Sequence, residues 1–284
     1  MLHIAYDPRC VAPTTGYSPS ASKPALVLQD WRDAGLPIRL HAAAPATASD
    51  LYLAHHVDYA RGVMHLDIDN GHGNRSREVA DSLPWTVGAM LTAARTALQL
   101  GKPVCAPVSG FHHAGFDFGG GFCTFNGLAV AAFSALQDKL CDEVWILDFD
   151  HHWGNGTHDC LGHSPAWMRR HIRHYTVGRM GYGPKDGAAA LAYVKRAAQD
   201  LTNSALGRAL VLYQAGADMH IDDPLGGCLT TEQLLERDHI VFRACKEAGV
   251  PIAWNLAGGY QVEPDGSIPA VLEIHRNTAK ASLE

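Results

Sequence analysis

Seven short runs, apolar for most of their length, punctuate the chain at residues 2–6, 38–40, 104–106, 144–147, 172–177, 209–213 and 252–255. Runs this short that do not alternate cleanly predict strands covered on both faces. Longer segments with apolar residues at helical spacing lie between them. These are 84–100, stopped by Gly101; 128–140; the alanine-rich 187–201; and 269–280. A further one, 230–248, opens on Thr230-Thr231-Glu232-Gln233, which resembles a capping box, and ends at Gly249. The alternation predicts an α/β fold, a mostly parallel sheet with helices on both faces, in a single domain over residues 1–284. The first run, close to the N-terminus, reads as an edge strand. The stretches 12–24 and 67–75 read as surface loops bordering an entrance, and the second also offers a contact for a homo-oligomer.

In a parallel sheet the site gathers beyond the carboxyl ends of the strands. The unusual residues of this chain fall there. Run 144–147 passes straight into Asp148-Phe149-Asp150-His151-His152-Trp153-Gly154-Asn155. With a period of two, Asp148, Asp150 and His152 point to one side and His151 to the other. Two carboxylates and an imidazole on one face make a poor core and a good site for a divalent ion. Three more segments end in similar chemistry: Gly110-Phe111-His112-His113 with Gly119-Gly120-Gly121-Phe122-Cys123, then Gln214-Ala215-Gly216-Ala217-Asp218, and Gly258-Gly259-Tyr260. Asp150, His152 and Asp218 supply three ligands and leave a position open for water. One of His112 and His113 is suited to general base and acid work. Tyr260 is suited to donating to a carbonyl oxygen as charge builds on it. Asp148 and Asn155 remain to orient the histidines. His55-His56 reads as structural or entrance-lining, and Asp222 and Asp223 as loop or capping groups.

Composition narrows the class. A formal net charge of −6, with no Lys/Arg cluster, argues against a nucleic-acid partner. Seven widely spaced cysteines without a CxxC pair argue against a disulfide framework and against a cysteine zinc site. The N-terminus lacks the pattern of a signal peptide and no run is long enough to span a membrane, so a cytoplasmic protein is expected.

Taken in order, Gly-Phe-His-His-Ala, Gly-Gly-Phe-Cys, Asp-Phe-Asp-x-His-Trp-Gly-Asn-Gly-Thr, Gly-Ala-Asp-x-His-x-Asp-Asp-Pro-Leu-Gly and Gly-Gly-Tyr resemble the motifs of the histone deacetylase and acetylpolyamine amidohydrolase superfamily. The resemblance implies an arginase/deacetylase-like fold and zinc-dependent hydrolysis of linear amides, with Fe²⁺ able to take the same ligands and a structural K⁺ near Asp148. By motif position Asp150, His152 and Asp218 would hold the zinc. His113 would be the base and acid, facing Asn155, and His112 its electrostatic partner, paired with Asp148. Tyr260 would polarise the scissile carbonyl, and Gly121, Phe122 and Leu225 would line the substrate channel.

Departures bear on the substrate. Trp153 stands where many relatives carry a second histidine, and Val57 stands where an entrance aspartate would grip a peptide backbone. Met180 or Tyr182, within 179–184, would supply the second channel wall. The leading expectation is removal of acetyl or a short acyl group from an amine such as acyl-lysine, on a small-molecule or peptide amide. An acetylpolyamine deacetylase is the alternative. Leu225 counts mildly against it, because polyamine-selective relatives can place a glutamate there, although Asp67, Asp69 or Asp117 would make the entrance negative. An arginase-type ureohydrolase, which needs two metals, and an inactive binding module rank lower.

Overall fold

The computed structural model describes residues 1–13, 18–205 and 207–284. Each apolar run is a strand: β1 Leu2–Tyr6, β2 Ile38–Ala42, β3 Val104–Ala106, β4 Glu143–Asp148, β5 Ile172–Thr176, β6 Ala209–Gly216 and β7 Ile252–Ala257. They form one sheet in the order β2-β1-β3-β7-β6-β4-β5, with every ladder parallel. β6 and β7 run past their apolar runs because a backbone ladder is indifferent to side-chain polarity, and the polar Gln214 that continues β6 finds buried partners of its own.

The helices are α1 Lys23–Asp33, α2 Ala48–Leu51, α3 Val57–His65, α4 Arg77–Leu100, α5 Gly127–Gln137, α6 Asn155–His163, α7 Ala166–Arg169, α8 Gly187–Ser204, α9 Thr231–Ala248 and α10 Pro269–Ala281. They cover both faces of the sheet. Val144, Ile146, Leu210 and Leu212 join the core beneath α4 and α5. Their strand neighbours Trp145, Leu147, Val211 and Tyr213 join the core beneath α1, α8, α9 and α10. Fully burying one such large side chain contributes roughly 1.5–3 kcal/mol. None of the helices among the described residues is long and apolar enough to cross a membrane.

Three expectations are corrected. β1 is interior, between β2 and β3, and the edges are β2 and β5. Position in the chain does not fix position in a sheet, and the half-exposed β2 is the strand that tolerates solvent. The helix expected to start at Pro84 starts at Arg77, capped by the Ser76 side chain on Val79 N, and carries Pro84 inside it. Proline favours a first turn, which made it a misleading start signal. The stretch 12–24 is only partly loop. Pro19–Ala21 is a 3₁₀ turn, Lys23 opens α1, and Ser18, Ser20 and Lys23 are buried. Residues 14–17 of that stretch lie outside the described residues. The stretch 67–75 is irregular as expected, although Asn70 is buried and Gly71 N donates to Thr124 Oγ1.

Candidate metal centre and catalytic pocket

The four polar segments follow β3, β4, β6 and β7, and these four strands are consecutive in the sheet as β3-β7-β6-β4. Adjacency of their carboxyl ends is what gathers residues 150 positions apart in sequence into one pocket. Asp150, His152 and Asp218 form the one cluster of three or more ligand-type side chains among the described residues, with their ligand atoms within 4.8 Å of one another. The alternation argument that selected them needs correcting. β4 ends at Asp148, and Asp150, His151 and His152 lie in the turn beyond it. What holds them there is hydrogen bonding: His152 N donates to Asp150 Oδ1 (2.9 Å) and His151 N to Asp218 Oδ1 (3.2 Å). The His151 ring sits against Gly226 instead of the cluster.

The donor set fits a divalent cation. His152 Nδ1 lies 2.8 Å from Asp218 Oδ2 and 3.3 Å from Asp150 Oδ1. Both carboxylates are buried. The His152 imidazole is pushed up to about 11 by its bonds to Asp150 and Asp218. The Asp218 carboxyl is raised, by burial and by the charge of Asp150. Two buried carboxylates converging on one imidazole leave an excess of negative charge and lone pairs that a divalent ion relieves. Gly258, at φ +52, makes room for this: a Cβ there would collide with the Asp218 carboxylate.

The tandem histidines have different partners. His112 Nδ1 lies 2.8 Å from Asp148 Oδ2, and its Nε2 is 3.5 Å from Asp150 Oδ1. Burial alone would lower this imidazole, but Asp148 and Asp150 outweigh it and raise it to about 9. His113 Nδ1 lies 2.6 Å from Asn155 Oδ1, so it donates to the amide oxygen and leaves Nε2 with a free lone pair. Burial and the neighbouring His112 charge lower its proton affinity. One imidazole is therefore a cation at neutral pH and the other a base. Asn155 opens α6, and Thr157 N in the same first turn donates to the His112 carbonyl at 3.0 Å.

Tyr260 closes the opposite side. Its phenol is held well above its usual range by burial and by Asp218 and Asp150, so it remains a donor. Gly121, Phe122 and Tyr260 line the same cavity as His112, His113 and Asp150. Gly121 and Phe122 both have positive φ, which turns the Phe122 ring between Tyr260 (5.8 Å) and His72 (5.7 Å). Leu225 does not line that cavity and is 37% exposed. Met180 is 51% exposed, whereas Tyr182 packs against the core beneath α8 and α9.

Four residues were missed or undervalued. Asp223, expected as a loop or capping group, does accept from backbone N–H groups, Tyr260 N (2.8 Å) and Leu225 N (3.0 Å), but it is buried and so ties the Tyr260 corner to its loop. Gln214 accepts from Phe111 N (3.0 Å) and donates to Asp148 Oδ1 (3.1 Å), linking the His112 segment to Asp148. Lys23 is fully buried and donates from Nζ to the Gly258 carbonyl. Burial lowers it to about 8 against the pull of Asp218, Asp150 and Asp223. Arg237 is also fully buried, behind the ligand segments. The spacing does carry a signal for two of them: Lys23 is in phase with Val27 and Trp31, and Arg237 with Leu234 and Val241, on buried helix faces. A K⁺ ion near Asp148 would meet a carboxylate whose oxygens already accept from His112, Gln214 and Asp150 N, with His174 Nε2 4.0 Å away.

Comparison with known proteins shows the family and the fold. Residues 20–187 match the family model of the histone deacetylase domain. Histone deacetylase 2 of Arabidopsis thaliana is 27% identical over 61% of this chain and 48% of its own length. The acetylpolyamine amidohydrolase of Mycoplana ramosa is 32% identical over 57% of this chain and 52% of its own. The chain thus spans about half the length of these two relatives. The structure of the acetylpolyamine aminohydrolase from Burkholderia pseudomallei superposes with a TM-score of 0.72 at 17% identity, covering 99% of this chain and 98% of that one, so the fold is shared.

Proposed function

Because the chain belongs to the histone deacetylase domain family, we propose that it is a metal-dependent amidohydrolase that removes acetyl or a short acyl group from an amine such as acyl-lysine. The observation that carries this reading is the pairing of a base with a free Nε2, His113, and a protonated phenol, Tyr260, in one cavity with Asp150 of the ligand cluster. Asp150, His152 and Asp218 would hold the ion, with Zn²⁺ preferred for the mixed O/N set and Fe²⁺ accepted by the same ligands. Such an ion supplies Lewis acidity and brings the pKa of water toward neutrality.

The remaining chemistry belongs to the side chains. His113 Nε2 takes a proton from the attacking water and returns it to the departing amine. Tyr260 donates to the carbonyl oxygen as negative charge gathers on it. His112, kept protonated by Asp148, contributes a fixed positive field and holds down the proton affinity of His113. Asp223 and Lys23 grip the Gly258–Tyr260 corner from two sides and so fix where the phenol stands. Gly121 and Phe122 shape the slot for the acyl group.

The likeness to the Mycoplana ramosa enzyme favours a second reading, deacetylation of polyamines. The neutral Leu225 and the pairing of Asp69 with Arg75 (2.6 Å) weigh against a strongly negative mouth. The test is a panel of acetyl-lysine peptides, longer acyl-lysines and acetylpolyamines, run on the Zn²⁺-loaded protein beside Tyr260→Phe. Tyrosine-dependent turnover of acyl-lysines supports the first reading and selective turnover of acetylpolyamines the second. Silence across the panel with metal bound would overturn both.

A further inference from the structure

Arg237 has no part in the chemistry above and does not line the pocket. It is nevertheless fully buried, on the face of α9 that turns toward the sheet. Burying a guanidinium is unfavourable unless its donors are met by well-placed acceptors. Its partners are therefore informative. Nε donates to Asp238 Oδ1 at 2.9 Å, and Nη2 lies 2.8 Å from the same oxygen as an ion-pair contact without hydrogen-bond geometry. Asp238 is fixed in turn by Tyr213 Oη and Thr278 Oγ1, each at 2.5 Å. The other end of the fork reaches the sheet: Nη1 donates to Phe149 O at 3.0 Å and to Gly216 O at 2.5 Å.

Those two carbonyls are special by position. The Phe149 carbonyl belongs to the peptide bond that leads into Asp150, and the Gly216 carbonyl to the one that leads into Ala217, next to Asp218. β4 and β6 are in register as far as Asp148 and Gln214, and Phe149 N still donates to Gln214 O at 3.1 Å. The paired register ends there. The two segments nevertheless stay in close contact, since a Cβ on Gly216 would run into Asp150 Cα. The guanidinium bridges them just past the end of the ladder.

We propose that Arg237 is a positioning residue for the metal centre. Through Phe149 O and Gly216 O it locks together the two backbone segments that carry Asp150 and Asp218, with Asp238 neutralising it from behind. A planar fork suits this task, because its donors leave in fixed directions, whereas an ammonium on a flexible stem does not hold two acceptors in one plane. The proposal rests on reading Asp150 and Asp218 as ligands, so its test measures metal binding first and activity second.

The experiment compares the unaltered chain with Arg237→Lys, which keeps the ion pair, and with the double variant Arg237→Met/Asp238→Asn, which removes it. Zn²⁺ affinity is measured by chelator competition, the Co²⁺ derivative by its visible spectrum, and the metal-free proteins by thermal unfolding. The expected result is a loss of metal affinity of about 10- to 100-fold in both variants, the range of outer partners of metal ligands, with altered Co²⁺ bands. KM should stay near that of the unaltered protein. If the double variant fails to fold, Arg237→Lys decides. Unaltered affinity and an unaltered Co²⁺ spectrum in a folded variant overturn the proposal, and a purely structural role would lower the unfolding temperature without moving the spectrum. Failure of the unaltered chain to bind either metal overturns the metal centre itself, an outcome distinct from the failure of Arg237.

Discussion

His112 and His113 are adjacent in sequence, and their rings lie 4.1 Å apart, yet they occupy two different halves of the pocket. The inner half is closed and charged: His112 and Asp148 are buried, with Gln214 and Asp150 beside them. The outer half is only partly closed, and its acceptor is the neutral amide of Asn155. Burial disfavours the charged form of both rings. Asp148 and Asp150 outweigh it and raise His112, whereas the bond to the neutral Asn155 does not, and the His112 charge lowers His113 further. The difference between two identical side chains thus comes from how many carboxylates each one meets and from the charge that one places on the other.

Removing a residue of the Asp150/His152/Asp218 cluster should have the largest effect. Asp218→Ala is expected to lose stoichiometric metal and with it all turnover, read by metal analysis of the purified protein. Retained metal at one equivalent would take Asp218 out of the ligand set. Next in size, His113→Ala should lower kcat by about 10²–10⁴-fold, the usual range for a general base. His112→Ala should do less at the pH optimum, and equal losses for the two would erase the distinction between the halves. Tyr260→Phe should cost about 10²–10³-fold in kcat with the metal retained.

Asn155→Asp converts the outer half into a copy of the inner one. A carboxylate at that distance raises an imidazole by about 1–3 pKa units. The acidic limb of the pH–rate profile should move upward accordingly, and a limb that stays put would show that His113 is not the group it reports.

His55 extends the contrast to a histidine without a charged partner. Its Nδ1 lies 2.8 Å from Gly115 O and its Nε2 accepts from Asn126 N at 2.8 Å, so its neutral form is the one the fold uses. Burial lowers it from 6.5 to about 4. Between these values the unfolded chain binds the extra proton. The stabilisation is therefore complete above about pH 6.5 and is lost on acidification toward pH 4, by on the order of 3 kcal/mol in all. His55→Gln, which keeps a donor and an acceptor, should flatten that part of the plot of unfolding temperature against pH. An unchanged slope would assign the acid sensitivity to other groups.

Much of this was legible in the chain because strands and ligands leave local signatures. The runs at 104–106 and 144–147 announce buried strands, and Asp148 to Asn155 announces chemistry where the second one ends. The capping box at Thr230 and Gln233 is present as read, with Gln233 N donating to Thr230 Oγ1 at 3.3 Å. Local rules failed where a distant partner decided the outcome. Alternation does not reach Asp150 and His152, which lie beyond the end of β4 in a turn shaped by bonds to Asp218, itself just past the end of β6. Ser18, Ser20 and Lys23 read as loop residues because polar side chains in a Pro/Ser-rich stretch usually face water, and nothing nearby in sequence shows that Gly258 awaits the lysine.

The sequence by itself determined the elements, their two-sided burial and the set of residue types available for a metal and a base, since periodicity and residue chemistry are properties of short segments. The tertiary structure alone decided which strands are neighbours, and hence that the ends of β3, β7, β6 and β4 meet. It also decided which groups answer each buried charge: Gly258 O and the carboxylates of Asp218, Asp150 and Asp223 for Lys23, and Asp238 with the carbonyls of Phe149 and Gly216 for Arg237. Those choices depend on desolvation and on distances across the sheet, quantities that do not exist until the chain has folded.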